Sequence, residues 1–85
     1  MDTKIEFPCD YPIKVMGNAA ADYKQAIVDI IRQHAPNLDD GRVKFKSSRN
    51  GKYYSVTVFI TATGTEQLSA IFEDLKASGR VHMVL

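Results

Sequence analysis

The chain is poor in the residue types that most often carry chemistry. It has no tryptophan and a single cysteine, Cys9. One cysteine cannot close an internal disulfide, which suits a reducing compartment. Five glycines and three prolines are too few for a collagen-like or linker-like composition. No apolar run approaches the ~18 residues of a membrane span, and Met1 to Asp10 holds no signal-peptide core. Neither sign of charge dominates: eleven Lys and Arg face ten Asp and Glu, for a formal net charge of +1. That balance argues against a bulk field aimed at nucleic acid or membrane. A soluble, cytoplasmic protein is the expectation.

What is present is the composition of a small globular domain. Hydrophobic residues make up 45% and charged residues 25% of the chain, which excludes disorder. Its 85 residues are expected to form one domain, 1–85. A chain of this size buries only about 60–65% of its unfolded surface.

The segment from Arg42 to Thr63 carries the strongest structural signal. Two alternating runs meet at Asn50-Gly51. Such a dipeptide favours a two-residue hairpin turn of type I′, in which both residues take positive φ. Centring the turn there sets Val43 opposite Val58, Phe45 opposite Val56 and Ser47 opposite Tyr54. A slip by one residue would mix the apolar and polar faces, so the pattern fixes the register.

The remaining elements follow from period and punctuation. Met1 to Asp10 is read as an extended lead-in, with Phe7 docked on the body. Tyr11 to Met16 alternates weakly and predicts a strand. Gly17-Asn18 is expected to turn the chain into a helix over Ala19 to Ala35. Tyr23, Ile27, Ile30, Ile31 and His34 line one face of that helix, and Pro36 stops it. Thr63 and Glu66 stand at capping-box spacing ahead of a second helix reaching Ala77. Its buried stripe is Leu68, Ile71, Phe72 and Leu75, and Gly79 closes it. A last strand, Arg80 to Leu85, is expected to turn Val81, Met83 and Leu85 inward and His82 and Val84 outward. The order β-α-β-β-α-β predicts an α+β, ferredoxin-like sandwich. In it a four-stranded antiparallel sheet carries both helices on one face, and strands one and three are central.

That topology leaves one sheet face uncovered. The helices take Val43, Phe45, Tyr54, Val56, Val58 and Ile60. The open face then shows Lys14, Met16, Lys44, Lys46, Tyr53, Ser55, Thr57, Phe59, Thr61 and His82. Lys14, Lys44, Lys46, Tyr53, Phe59 and His82 are the candidate interaction residues. A solvated face, a homodimer contact across it or along an edge strand, a protein partner, and a ligand or nucleic-acid contact are the alternatives for it. Met16, Gly17 and Asn18 are a candidate site for a small polar ligand, because a strand-to-helix turn exposes backbone N–H groups.

No catalytic constellation is legible. Cys9, His34 and His82 lie on different elements, so nucleophilic catalysis has no partner for the thiol. Cys9, His34, His82, Asp39 and Asp40 show no metal-ligand spacing, and neither a metal nor a cofactor is expected. Gly51 to Val56 lacks the alternating Gly-aromatic order of RNA-recognition domains, which makes nucleic acid a disfavoured partner. A weak single-strand binder using Tyr53 and Phe59 is the alternative function. An acylphosphatase-like enzyme would need an arginine-plus-asparagine phosphate cradle between the first strand and the first helix, and none is present.

Several short motifs occur in a specific order: Phe7-Pro8, Lys14-Val15-Met16-Gly17 and His34-Ala35-Pro36, then Ser47-Ser48 ahead of Gly51, Tyr53 and Ser55-Val56, and finally Val81 to Leu85. In these the chain resembles the YbeD-like family, short bacterial proteins of unknown function. The resemblance implies a ferredoxin-like fold similar to the ACT type of small-molecule-sensing regulatory domain. It also implies a place near lipoate metabolism, since genes of the family often neighbour lipoate-attachment genes. It supplies no catalytic residues. The resulting expectation is a non-enzymatic regulatory or interaction module.

Overall fold

A computed structural model describes residues 8–85. The element order is β1 (Cys9–Asn18), α1 (Tyr23–Arg32), a 3-10 turn (Asp40–Arg42), β2 (Val43–Ser47), β3 (Tyr53–Ala62), α2 (Thr65–Ala77) and β4 (Met83–Val84). The four strands form one sheet in the order β2-β3-β1-β4, and every neighbouring pair is antiparallel. This is the α+β ferredoxin-like arrangement, with β1 and β3 central. The expected docking of Phe7 lies outside the described residues.

The core sits between the sheet and the two helices. Ile13 and Val15 of β1, Val56, Val58 and Ile60 of β3, Ile27 and Ile31 of α1, and Ile71 and Leu75 of α2 are all essentially fully buried. Each such side chain stabilises the fold by roughly 1.5–3 kcal/mol relative to its exposed state. The hairpin register is as the alternation required, with Val43 opposite Val58, Phe45 opposite Val56 and Ser47 opposite Tyr54.

The turn that sets this register differs from expectation. Asn50 does not adopt positive φ; Gly51 does, at 73°. The Gly51 amide donates to the Ser48 carbonyl, and the Ser48 amide donates to the Tyr53 carbonyl. These bonds close a four-residue loop, Arg49 to Lys52, around a three-residue-separated turn. Asn50 Oδ1 stabilises it by accepting from the Lys52 amide and the Ser48 hydroxyl. Asparagine therefore acts here through its side chain rather than through a left-handed backbone.

The first strand is longer and the first helix shorter than the sequence suggested. β1 stays paired with β3 from Cys9 opposite Ala62 to Asn18 opposite Tyr53. The Ala19 amide then donates to the Lys52 carbonyl, which keeps the chain on the sheet and delays the helix. Gly17 is thus a strand residue, not a turn, and its φ is not positive. Its need for glycine is steric. A β-carbon there would collide with the Arg80 carbonyl oxygen and stand 2.6 Å from the Tyr23 hydroxyl. Cys9, expected in the lead-in, is a half-buried member of β1 packed against the core.

Two further corrections concern the second half. The Thr63–Glu66 capping box does not form. Gln67 instead reaches back, its Oε1 accepting from the Thr63 amide at 2.8 Å, while its Nε2 donates to the His34 carbonyl. That glutamine joins the start of α2 to the end of α1. The last strand has the opposite facing to that expected. Val84 lies opposite the buried Val15, so it turns toward the helices. Met83 and Leu85 then fall on the open face, where they are 50% and 66% exposed. At the other edge Phe45 is 43% exposed, because β2 extends beyond the cover of the helices.

The Gly17 contact yields a paired prediction. Gly17→Ala should destabilise by about 1–3 kcal/mol through overpacking, read as a lower urea midpoint with unchanged slope. The Tyr23 hydroxyl beneath it is buried and finds no hydrogen-bond partner among the described residues. Tyr23→Phe should therefore raise the midpoint, by about 1 kcal/mol or more, since it removes an unsatisfied polar group.

Candidate functional site

The open face is built by the even-numbered residues of β1 and β2 and the odd-numbered residues of β3. Lys14 lies opposite Thr57, Met16 opposite Ser55 and Asn18 opposite Tyr53. On the other side of β3, Lys44 lies opposite Thr57 and Lys46 opposite Ser55. Lys14, Lys44, Lys46, Tyr53 and Phe59 therefore share one surface, as expected. No helix covers it: Tyr53 is exposed, while Val56 and Val58 are fully buried on the opposite side.

The aromatic groups on this surface are engaged. Lys44 Nζ stands 5.7 Å from the centre of the Phe59 ring, in reach of a cation–π contact. Tyr53 meets His82 edge to face, with ring centres 5.9 Å apart. His82 reaches the face by an irregular route. It precedes β4, donates its amide to the Met16 carbonyl, and places Nε2 2.9 Å from Asn18 Oδ1. Regular alternation would have pointed it to the other side. A shallow depression of about 200 Å³ lies among Lys14, Met16, Lys46, Ser48, Tyr53 and Ser55. Of the candidate ligand residues, Met16 lines it, Asn18 is bonded to His82, and Gly17 lies on the helix side of the sheet.

Electrostatics sharpen the picture beyond the near-neutral total. Lys14, Lys44 and Lys46 on the open face, with Arg49 and Lys52 on the hairpin loop, make no ion pair among the described residues. Among the described residues the acid on this face is Asp10, and Arg42 binds it at 2.9 Å. The helices and their loops carry Asp22, Asp29, Asp39, Asp40, Glu66, Glu73 and Asp74 against Lys24, Arg32, Lys76 and Arg80. The protein is therefore polarised, with a cationic sheet face and an acidic helical layer. Sequence composition cannot show this, because it sums charges that the fold separates.

Elsewhere the polar groups look structural. His34 Nε2 meets Asp74 Oδ2 and ties the two helices together. A cavity of about 360 Å³ beside it is lined by Leu38, Arg42, Phe59, Thr61, Thr63 and Gln67 among others. Arg80 binds Asp22 through two nitrogens, at 2.8 and 2.9 Å. Asp22 sits at the N-cap of α1 without capping it, since its carboxylate is turned to Arg80. This pair fills the approach to the helix N-terminus with its own anion. Among the described residues no three His, Cys, Asp or Glu side chains converge on a common point. Among the described residues no helix is long and apolar enough to cross a membrane.

Comparison with known proteins places the chain. Residues 2–85 match a family model described as a protein of unknown function, DUF493. The chain belongs to this family. An Azotobacter vinelandii protein named UPF0250 is 57% identical over 96% of this chain and 90% of its own length. Its Ectopseudomonas mendocina counterpart is 54% identical over the same shares. These agree with the YbeD-like motifs of the sequence. Among solved structures, a protein from H. pylori matches 99% of this chain and 88% of its own with a TM-score of 0.74 at 17% identity. The ACT domain of a Chlorobium tepidum GTP pyrophosphokinase matches 89% and 84% with a TM-score of 0.67 at 14% identity. At such identities these two show a shared fold and nothing further.

The Arg80 pair supplies a pH prediction. Hydrogen bonds from Arg80 hold the Asp22 carboxyl below its ordinary range, and the Arg80 charge adds to this. A carboxyl depressed in the folded state stabilises above its unfolded pKa and loses that effect as pH falls through the folded value. The difference in urea midpoint between the wild type and Asp22→Asn should be present at neutral pH and vanish in strong acid. A difference independent of pH would remove the ion pair as its cause.

Proposed function

We propose that this member of an uncharacterised family is a non-enzymatic regulatory or interaction module of the cytoplasm, working by binding an anionic partner on its open sheet face. The observation that supports the reading is the set of cations on that face and its hairpin loop that have no ion-pair partner among the described residues, around half-exposed apolar side chains. Lysines left without partners on a sheet cost solvation when covered, unless the covering surface is acidic. Their separation from the acidic helical layer lets the field steer an encounter although the net charge is small. The convergent catalytic groups that an enzyme reading requires have no counterpart in the site described above.

The test is a pull-down from bacterial cytoplasm at low salt, comparing the wild type with Lys14→Glu/Lys44→Glu. Both positions are exposed, so the double variant should fold. A partner retained by the wild type and lost from the variant is expected. Equal retention of every co-purifying protein by both would overturn the reading.

A second reading, small-acid sensing, rests on the depression that Lys14, Met16, Lys46 and Tyr53 share. Of the other residues expected to bind such a ligand, Gly17 faces the helix side and Asn18 is held by His82. This second reading predicts a higher melting temperature with amino acids or lipoate-related acids, because a ligand that binds only the native state stabilises it. No shift at millimolar concentration would dispose of it.

A further inference from the structure

The outer edge of β2 is the least protected part of the sheet. Among the described residues no strand pairs with it, since β2 ends the order β2-β3-β1-β4. From Lys44 to Ser47 every residue of the strand is exposed. Its backbone groups divide by alternation. Ser48 donates to Tyr53 across the hairpin, and in an antiparallel ladder hydrogen-bonded pairs recur at every second residue. Lys46 and Lys44 therefore bond inward to β3, and Phe45 and Ser47 turn their N–H and C=O groups outward, while the Val43 amide is already held by the Asp40 carbonyl.

The two sides of this edge have different chemistry. On the open face stand Lys44 and Lys46, with no ion-pair partner among the described residues. On the helix side lies a groove of about 310 Å³ formed by Ala20, Ala21, Lys24, Phe45 and Tyr54. Phe45 is its apolar wall, set edge to face on Tyr54 with ring centres 4.7 Å apart. Its only charged member is Lys24.

We infer that β2 receives an extended segment of a partner protein as a fifth strand, and that this segment alternates acidic and apolar residues. The inference rests on the binding reading above and specifies its occupant. Main-chain bonds to Phe45 would hold the segment, and alternate side chains would read the two sides. Acidic residues on one side meet Lys44 and Lys46, while apolar residues on the other enter the Phe45 groove. A second copy of this chain fits poorly. Antiparallel pairing of β2 with itself about Phe45 sets Lys44 opposite Lys46 of the copy, and like charges directly opposite destabilise. The same lysines that blunt the edge against self-association select a partner of opposite charge.

The experiment is a nuclear magnetic resonance titration of the full chain with a synthetic peptide alternating glutamate and valine over about six residues, the usual strand length. A lysine–valine peptide and a single-stranded oligonucleotide serve as comparisons. The expected result is slowed exchange of the Phe45 amide with the glutamate–valine peptide alone. Lys44→Glu/Lys46→Glu should weaken binding on the order of tenfold or more, and raised salt should weaken it too. Three results would overturn the inference: no protection of Phe45, equal binding of the lysine–valine peptide, or a Phe45-dependent dimer of the free protein. Shifts at Lys14 and Tyr53 with an unprotected Phe45, from peptide or oligonucleotide, would reject strand addition while leaving the open-face reading standing.

Discussion

The pairing of β1 with β3 governs this structure. Its ten-residue ladder runs from Cys9 opposite Ala62 to Asn18 opposite Tyr53. Along it Ile13, Val15, Val56, Val58 and Ile60 all fall on one side, and each is essentially fully buried. Because side chains alternate with a period of two, one register decides both what the helices cover and what they leave bare. The cationic face is the complement of the core. A change of register by one residue would bury lysines and expose valines.

The crowded end of that ladder links packing to connectivity. Gly17 lets the Arg80 carbonyl and the Tyr23 ring approach the strand. Arg80 in turn holds Asp22 at the start of α1. The segment after α2, the start of α1 and the end of β1 are thus fastened at one place. The other end is joined by Gln67, which bonds both Thr63 and the His34 carbonyl, and by His34 against Asp74. With both ends of the helical layer tied down, the uncovered face and the β2 edge are the parts of the sheet that the helices leave open.

Much of the fold was legible because local signals agreed with one another. The hairpin alternation gave the right pairing even though its turn is of another type. Register depends on which residues are apolar, and both turns bring the same residues opposite. Helix stripes built on Ile27, Ile31, Leu68, Ile71 and Leu75 were readable from spacing for the same reason. Three features misled. β4 is so short that its facing follows from Val15 across the ladder, not from its own pattern. Gly17 looked like a turn residue because glycine marks both positive φ and close approach, and only the neighbours distinguish them. Thr63 and Glu66 had capping spacing, yet Gln67 competes for the same amide and also reaches His34.

The candidate site divides in the same way. Sequence periodicity by itself determined which strand residues share a surface, since alternation along a strand is a property of the backbone. It thereby put Lys14, Lys44, Lys46, Tyr53 and Phe59 together. Tertiary structure alone decided how charge is distributed. Residues far apart in the chain become neighbours only when strands and helices form separate layers, and a sum of +1 then resolves into a cationic side and an acidic one. It also decided that Phe45 is left partly exposed and that His82 turns to meet Tyr53. Both outcomes depend on where one element ends relative to another, a distance that no local pattern encodes.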